Sequence, residues 1–143
     1  MSLYSERLAH LKRELAEEIA KRRKKKKKFT SNQNIMINFI NGVTVNAIFN
    51  LRGMNVTLKK GTADGGFRHI LEKHYCKGCK GEISMLDILN MDLVIQRGLK
   101  LNNVGVSNGN NIVFNYKNRD SEHNVVLKED RNKELVVSFY SID

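Results

Sequence analysis

The chain has 143 residues, of which 41% are hydrophobic and 28% are charged, and its formal net charge is +10. This length suits a single domain, and no apolar run approaches the roughly 18 residues that a membrane-spanning helix needs. Two cysteines cannot build a disulfide framework, and no secretory signal pattern opens the sequence. We therefore expect a basic cytoplasmic protein with no membrane association.

The first predicted element is an amphipathic helix that begins near Glu6, with Ser5 as its cap, and ends in the low twenties. Its apolar side chains recur at spacings of three and four residues, which is the period of a helix face. They are Leu8, Leu11, Leu15 and Ile19. The helix is expected to fray at its end, because the lysines that follow repel one another.

A run of basic residues follows this helix. Every residue from 21 to 28 is lysine or arginine, and residues 1–28 hold 11 of the 25 basic residues but only 4 of the 15 acidic ones. We therefore divide the chain into a basic helical arm or linker, residues 1–30, and an α+β domain, residues 31–143. Such a run either binds the phosphates of a nucleic acid or forms a solvated linker, and charge alone does not decide between them.

The next stretch is predicted to be a β-hairpin. Residues 35–40 and 43–49 are apolar and rich in β-formers, and Asn41 and Gly42 lie between them. An Asn-Gly pair between two such runs is the strongest short-range hairpin signal, because both residues tolerate a positive φ. Residues 55–58 favour one more short strand.

Two helices are predicted in the middle of the chain. The first covers residues 66–75, where apolar side chains keep a helical period. The second runs from Ser84, a suitable N-cap, to about Arg97, and Gly98 is expected to stop it.

The last third of the chain is predicted to be a meander. Residues 112–116, 124–128 and 134–140 are β-rich and are joined by short polar turns. The fold class is therefore α+β, with an N-terminal helix and central helices packed on one face of an antiparallel sheet.

Two histidines, His69 and His74, lie in the first central helix beside Arg68 and Lys73. Five helical residues turn through about 500°, so the rings should lie about 140° apart, with His74 on the apolar stripe. Both can be structural, His74 as a buried side chain and His69 as a surface one. If the sheet instead brings a ring into a cleft, an imidazole can act as acid or base on a ribose 2′-hydroxyl or a leaving oxygen. Neighbouring cations would then bind phosphate.

Cys76 and Cys79 form the second group of reactive side chains, and their spacing does not suggest a structural staple. With His74 they offer three zinc ligands, but a partner pair at zinc-site spacing is missing and His123 is the one distant candidate. A redox pair is disfavoured, because such cysteines usually open a helix and these lie between lysines and glycines. We expect a mobile basic loop here, and neither a metal nor a cofactor.

The sequence lacks the signatures of several other enzyme classes. It has no glycine-rich phosphate-binding motif, no carboxylate pattern for a two-metal nuclease and no serine-hydrolase motif. No aromatic pair of the RNA-recognition type is visible on a strand. Nucleotide-driven enzymes and the common RNA-binding platforms are therefore disfavoured.

Two short motifs resemble those of the barnase–EndoU–colicin–RelE-like (BECR-fold) endoribonucleases of phages and toxin systems. A helix of that family reads Gly-x-x-His-Ile-x-x-[Arg/Lys]-His, and a late strand reads Val-Val-[Ser/Thr]-x-[Tyr/Phe]. The matching residues here are His69, Ile70, Lys73, His74, Val136, Val137, Ser138 and Tyr140. The resemblance covers about residues 35–143 and leaves out the N-terminal helix and the lysine run.

The resemblance implies a barnase- or RelE-like meander and metal-independent cleavage of RNA, in which the 2′-hydroxyl attacks the neighbouring phosphodiester. It assigns the base and the acid to His69 and His74, in either order. Ser138 and Tyr140, which share a strand face, would bind the scissile phosphate. The candidates for neutralising the charge of the substrate are Arg68, Lys73, Lys117 and Lys128.

The same resemblance implies RNA as the partner, a role as a toxin or effector domain of a phage or mobile element, and a cognate immunity or antitoxin protein. An alternative from another class is a non-catalytic nucleic-acid-binding or phage structural module. In that alternative the basic arm binds the partner and the histidines pack.

Overall fold

This computed structural model describes residues 2–106, 109 and 111–142. The described residues contain five helices and six strands. The helices are α1 (Leu3–Lys24), α2 (Ser31–Ile40), α3 (Phe67–His74), α4 (Met85–Leu89) and α5 (Met91–Lys100). The strands are β1 (Ala47–Leu51), β2 (Met54–Leu58), β3 (Val104–Val106), β4 (Ile112–Lys117), β5 (Glu122–Asp130) and β6 (Lys133–Ser141). Within the described ranges, no helix is both long enough and apolar enough to cross a bilayer.

The six strands form one sheet in the order β1-β2-β6-β5-β4-β3. All neighbours are antiparallel except β2 and β6, which run parallel through the pairs Val56 with Glu134 and Thr57 with Leu135. The predicted α+β class and the predicted meander of the last strands are confirmed. Strand β3 was not predicted, because its three residues are exposed and form a short edge strand.

The core lies on one face of the sheet, under the helices. Phe114, Val125 and Phe139 form one row across β4, β5 and β6, and each is at most 2% exposed. A β-bulge interrupts β6, since Val126 pairs with Ser138 while Leu127 already pairs with Val136. A bulge re-aims the side chains that follow it. Here Val136 belongs to the core, whereas Ser138 is turned to the opposite face.

Helix α1 contributes to this same core. Leu11 and Leu15 are 0% and 1% exposed. The Arg7 guanidinium donates hydrogen bonds to the carbonyls of Leu71 and Glu72 near the end of α3. The helix begins at Leu3, earlier than predicted, because Ser2 and not Ser5 is the cap: the Ser2 hydroxyl accepts from the Ser5 amide at 3.1 Å.

The hairpin predicted over residues 35–49 is wrong. Residues 35–40 belong to helix α2, which Thr30 caps through a capping box with Gln33. Gly42 has φ +79° and ends this helix, with its amide bonded to the carbonyl of Phe39. Glycine in this conformation serves a helix end as well as it serves a hairpin turn, so the Asn-Gly pair was ambiguous. The hairpin lies later, between β1 and β2, and turns at residues 52–53.

The second central helix is also interrupted. Ser84 caps α4 as predicted, in a capping box with Asp87, but the helix breaks at Asn90 and restarts as α5. The side-chain oxygen of Asn90 accepts a hydrogen bond from Gln33 at 2.8 Å. Gly98 does not stop α5. It lies inside the helix where β4 comes close, and a Cβ there would lie 3.3 Å from the Cβ of Phe114.

A disulfide joins Cys76 and Cys79. The expectation that their spacing does not suggest a staple is therefore wrong. The bond closes a short loop directly after α3, and the amide of Cys79 also donates to the carbonyl of Cys76 at 3.2 Å.

Candidate active site

A cleft of about 710 Å³ opens between α3, the loop that follows it and the end of β6. Its lining residues are His69, Lys73, His74, Lys80, Gly81, Ser138, Tyr140, Ser141 and Ile142. The structure thus brings together all four residues that the sequence proposed as catalytic, together with one of the four proposed substrate-binding cations, Lys73.

Backbone hydrogen bonds hold α3 and its following loop along the edge of β6. Strand β2 leaves this edge after Thr57, which is the last residue paired with β6. Beyond that point the Gly66 amide donates to the carbonyl of Val137 at 3.0 Å, and the Ser141 amide donates to the carbonyl of Gly81 at 3.2 Å. The helix therefore lies beside the strand that carries the two hydroxyls.

The two imidazoles are neighbours in the cleft. Their ring centroids are 5.7 Å apart with an interplanar angle of 75°, and the His74 ring lies 5.5 Å from that of Tyr140. The predicted rotation of about 140° between the two positions on α3 does not keep the rings apart. Both side chains are half-buried, so neither interpretation that treated them as purely core or purely surface residues describes them fully.

Each imidazole is oriented by a backbone carbonyl. His69 Nδ1 lies 2.9 Å from the carbonyl oxygen of Ala63, and His74 Nδ1 lies 2.9 Å from that of Lys80. A carbonyl only accepts, so each Nδ1 carries the hydrogen. That leaves Nε2 of each ring to serve a substrate, as a base when the ring is neutral and as an acid when it is protonated.

The surroundings of His74 favour its neutral form. Burial lowers the pKa of His74, and the positive charges of His69 and Lys73 lower this pKa further. The hydrogen bond to the Lys80 carbonyl acts in the opposite direction but does not outweigh them. A neutral imidazole near pH 7 is suited to take up a proton.

The loop after α3 can approach the cleft because residue 81 is glycine. Gly81 has φ +68°, and a Cβ at this position would lie 2.9 Å from the Cβ of Tyr140 and 3.0 Å from Nδ1 of His74. Sequence reasoning missed Gly81 and Lys80. They lie in a lysine- and glycine-rich loop without periodicity, where nothing distinguishes Gly81 from the unhindered Gly78.

The two hydroxyl residues of β6 line the cleft in different ways. Ser138 is 8% exposed and contributes to the floor. Tyr140 is half-buried, and its hydroxyl oxygen lies 3.4 Å from the side-chain nitrogen of Asn124 on β5. Sequence reasoning also missed Asn124, because its proximity depends on the register between two strands.

Three of the proposed cations do not line this cleft. Arg68 is held by Glu72 one helical turn away, at 2.8 Å. Lys128 lines a separate groove with Lys59, beside the loop of residues 61–66. Lys117 ends β4, two strands away from β6, opposite Glu122.

The zinc interpretation lacks a ligand set. Among the described residues, no group of three or more histidine, cysteine, aspartate and glutamate side chains is placed to hold a metal ion. Both sulfurs are used in the disulfide, and His123 pairs with Asp87, with 3.2 Å between Nε2 and Oδ2. Burial raises the pKa of Asp87, but the hydrogen bonds from His123 and Ser84 outweigh it, so this pKa lies below its usual value.

Comparisons with protein-family models, with curated proteins and with solved structures found no match. The function of this chain is therefore inferred from the geometry of the cleft.

Proposed function

We propose that the chain is a metal-independent endoribonuclease, in which a 2′-hydroxyl of RNA attacks the neighbouring phosphodiester. The observation that carries this proposal is the pair of imidazoles in one cleft, each with Nδ1 held by a carbonyl and with rings 5.7 Å apart. Two general acid–base groups this close, beside lysines and hydroxyls, match what such a cleavage needs.

His74 is the base in this proposal, because its surroundings favour the neutral ring. Its Nε2 takes the proton of the 2′-hydroxyl while the 2′-oxygen bonds to phosphorus. The bond from phosphorus to the 5′-oxygen breaks, and that oxygen receives a proton from Nε2 of His69. The products are a 2′,3′-cyclic phosphate and a 5′-hydroxyl.

Cations and hydroxyls of the cleft would stabilise the charge that builds up on the phosphoryl oxygens. Lys73 and Lys80 are exposed at the cleft and supply positive charge, and Ser138 and Tyr140 supply hydrogen-bond donors. Among the described residues, those that line the cleft include no carboxylate, and carboxylates are the ligands that Mg²⁺ prefers in proteins. The donor set therefore supports a mechanism that relies on side chains.

The wider role in this proposal is that of a cytoplasmic toxin or effector of a phage or mobile element, with RNA as the substrate. The motif resemblance supports this role. A cognate immunity protein would have to neutralise a basic cleft, so we expect it to present acidic side chains to Lys73 and Lys80.

The proposal is tested by incubating labelled RNA with the protein in excess EDTA. We expect cleavage by the wild type and a loss of about a hundredfold or more in His69→Gln and His74→Gln. His10→Gln is the matched control, because His10 is exposed on α1 and lies outside the cleft. RNA that stays intact with the folded wild type would rule out the nuclease.

The non-catalytic alternative has its own supporting observation. A surface pocket beside the end of α1 is lined by Ile19, Arg22, Arg23, Lys26, Lys27, Lys28 and Phe29. If the chain is a nucleic-acid-binding module, substitutions in this basic segment will abolish RNA binding, the cleft variants will leave it unchanged, and no cleavage will be seen.

A further inference from the structure

A polar chain of side chains crosses the open face of the sheet and ends at the cleft. Asn115, Asn124 and Tyr140 lie in one row across β4, β5 and β6. The Asn115 side-chain nitrogen lies 2.8 Å from the side-chain oxygen of Asn124 and 2.9 Å from a carboxylate oxygen of Glu122. The Asn124 nitrogen lies 3.4 Å from the Tyr140 hydroxyl oxygen.

The carboxylate fixes the direction of every hydrogen bond in this chain. A carboxylate only accepts, so the Asn115 atom that faces Glu122 must be its NH₂ group. That same group faces Asn124, so the Asn124 atom opposite it must be the carbonyl oxygen. The NH₂ group of Asn124 is then the one that points at the Tyr140 hydroxyl.

The Tyr140 oxygen is consequently an acceptor within the protein. A phenol that accepts from one side keeps its own hydrogen for another partner. The ring of Tyr140 packs against that of His74, at 5.5 Å between centroids, and its residue lines the cleft. The hydroxyl hydrogen is therefore left for a group inside the cleft.

We infer that Asn124 is a positioning residue, which together with Asn115 and Glu122 holds the Tyr140 hydroxyl as a hydrogen-bond donor to a phosphoryl oxygen of the substrate. The inference rests on the proposed function and assigns a direction to one contact of that site. Tyr140 transfers no proton in this role. Its hydrogen bond strengthens in the transition state because negative charge grows on the phosphoryl oxygen.

Two substitutions of Asn124 test the direction of the hydrogen bond. Asn124→Leu removes the amide, and Asn124→Asp keeps the shape but replaces the donor with an acceptor, which draws the Tyr140 hydrogen away from the cleft. Each should lower kcat about tenfold, as should Tyr140→Phe, because each removes one hydrogen bond to the transition state. Asn34→Asp and Asn34→Leu on the exposed face of α2 are the matched controls and should change nothing.

The decisive readout is a double-mutant cycle on kcat in excess EDTA. If Asn124 acts through the Tyr140 hydroxyl, either substitution at Asn124 will cost nothing further in the Tyr140→Phe background. Losses that multiply instead would overturn the inference and leave the nuclease proposal standing. If the folded wild type does not cleave RNA, the proposed function is wrong, and the inference about Asn124 is wrong as well.

Glu122→Gln is the second variant, in case a change at Asn124 unfolds the sheet. A glutamine can donate as well as accept, so the direction of the chain is no longer fixed. We expect kcat to fall less than in Asn124→Asp and, again, no further loss in the Tyr140→Phe background. An unchanged kcat in folded Glu122→Gln would contradict the role of the carboxylate.

Discussion

The basic run of residues 21–28 and the cleft beside α3 hold their charges in different ways. Residues 23–28 are all exposed. Arg22, in contrast, is fixed by Glu18 at 2.8 Å and stacks over Phe29 at 4.2 Å from the ring centroid. In the cleft, both imidazoles are held by carbonyls. The run therefore has a high density of positive charge, but most of its side chains have no fixed orientation. The cleft has fewer charged side chains, but its imidazoles are held in fixed orientations.

The two regions are also well separated along the molecule. Arg7 of α1 contacts the end of α3, beside the cleft, whereas the basic run begins at the other end of α1, which ends at Lys24. Arg7 and Lys24 are about 25 Å apart along the helix, at a rise of 1.5 Å per residue. Electrostatic attraction of a polyanion needs only charge, whereas acid–base catalysis needs geometry. We therefore expect RNA affinity and RNA cleavage to respond to different substitutions.

The largest expected effect comes from His74→Gln. Because His74 is the proposed base, kcat should fall about a thousandfold. Binding of a 2′-O-methyl RNA, which lacks the attacking hydroxyl, should remain unchanged because the basic run is intact. The measurements are single-turnover cleavage in EDTA and fluorescence anisotropy. An equal loss of affinity and kcat in His74→Gln would contradict the assignment of binding to the basic run and of catalysis to the cleft.

The second effect is that of a methyl group at residue 81. In Gly81→Ala the new Cβ meets Tyr140 and the His74 imidazole at about 3 Å, so we expect kcat to fall about a hundredfold through misplacement of the base. Gly78→Ala is the matched control, since Gly78 also has a positive φ, +83°, but has no atom within 4 Å of the added Cβ. Equal effects at both positions would mean that backbone strain, and not the contact with the cleft, is responsible.

Neutralising residues 24–28 with serine should act on binding alone. The affinity for single-stranded RNA should fall about tenfold or more, and the slope of log Kd against log salt should become shallower by up to about 3.5, since each phosphate contact contributes about 0.7. Catalysis at saturating RNA should keep its rate. A matching fall in kcat would show that the run takes part in the cleft's chemistry.

A smaller effect concerns the pH dependence of cleavage. The Lys73 ammonium lowers the pKa of His74, so Lys73→Met should raise this pKa. Because the base must be deprotonated, the acid limb of the kcat/KM profile should then move to higher pH. Lys77→Met, on the disulfide loop outside the cleft lining, should leave the limb in place. A limb that does not move in Lys73→Met would argue against His74 as the base.

The smallest effect is expected from the disulfide. Reduction frees the loop that supplies the Lys80 carbonyl to His74, so kcat should fall a few-fold. Closing so short a loop also contributes about 2 kcal/mol to the free energy of unfolding in the chain-entropy description. The variant Cys76→Ser/Cys79→Ser should match the reduced wild type and be insensitive to dithiothreitol. The activity of the reduced protein bears on the proposed cytoplasmic role, because that compartment favours the dithiol.

Much of the fold followed from periodicity and capping. The stripe of Leu11 and Leu15 predicted α1, and the β-rich runs near the end of the chain predicted β4, β5 and β6. The wrong strand assignment arose at residues 35–40, where an apolar run of six residues suits a strand or a helix equally. The capping box of Thr30 and Gln33 was the local signal that favours the helix.

The site was predictable where a motif marked it and unpredictable where tertiary register made it. The family resemblance of two segments predicted the four candidate catalytic residues, His69, His74, Ser138 and Tyr140. The structure places all four in one cleft. Their chemical roles remain predictions. Asn124 depends on strand register, which sequence patterns do not give.

Lys117 and Lys128 show the limit of counting charges. Both are lysines of the final meander, yet the register places them at opposite ends of the sheet, away from the cleft. Arg68 lies on the right helix, but Glu72 four residues later already neutralises it. The position of a cation relative to its own neighbours decides its availability.

The most direct test of the account is the identity of the RNA ends that the wild type produces in excess EDTA. We predict 2′,3′-cyclic phosphate and 5′-hydroxyl termini, and no cleavage where a single 2′-deoxynucleotide precedes the scissile phosphate. Termini carrying 5′-phosphate, cleavage at the deoxynucleotide, or RNA that stays intact would contradict it.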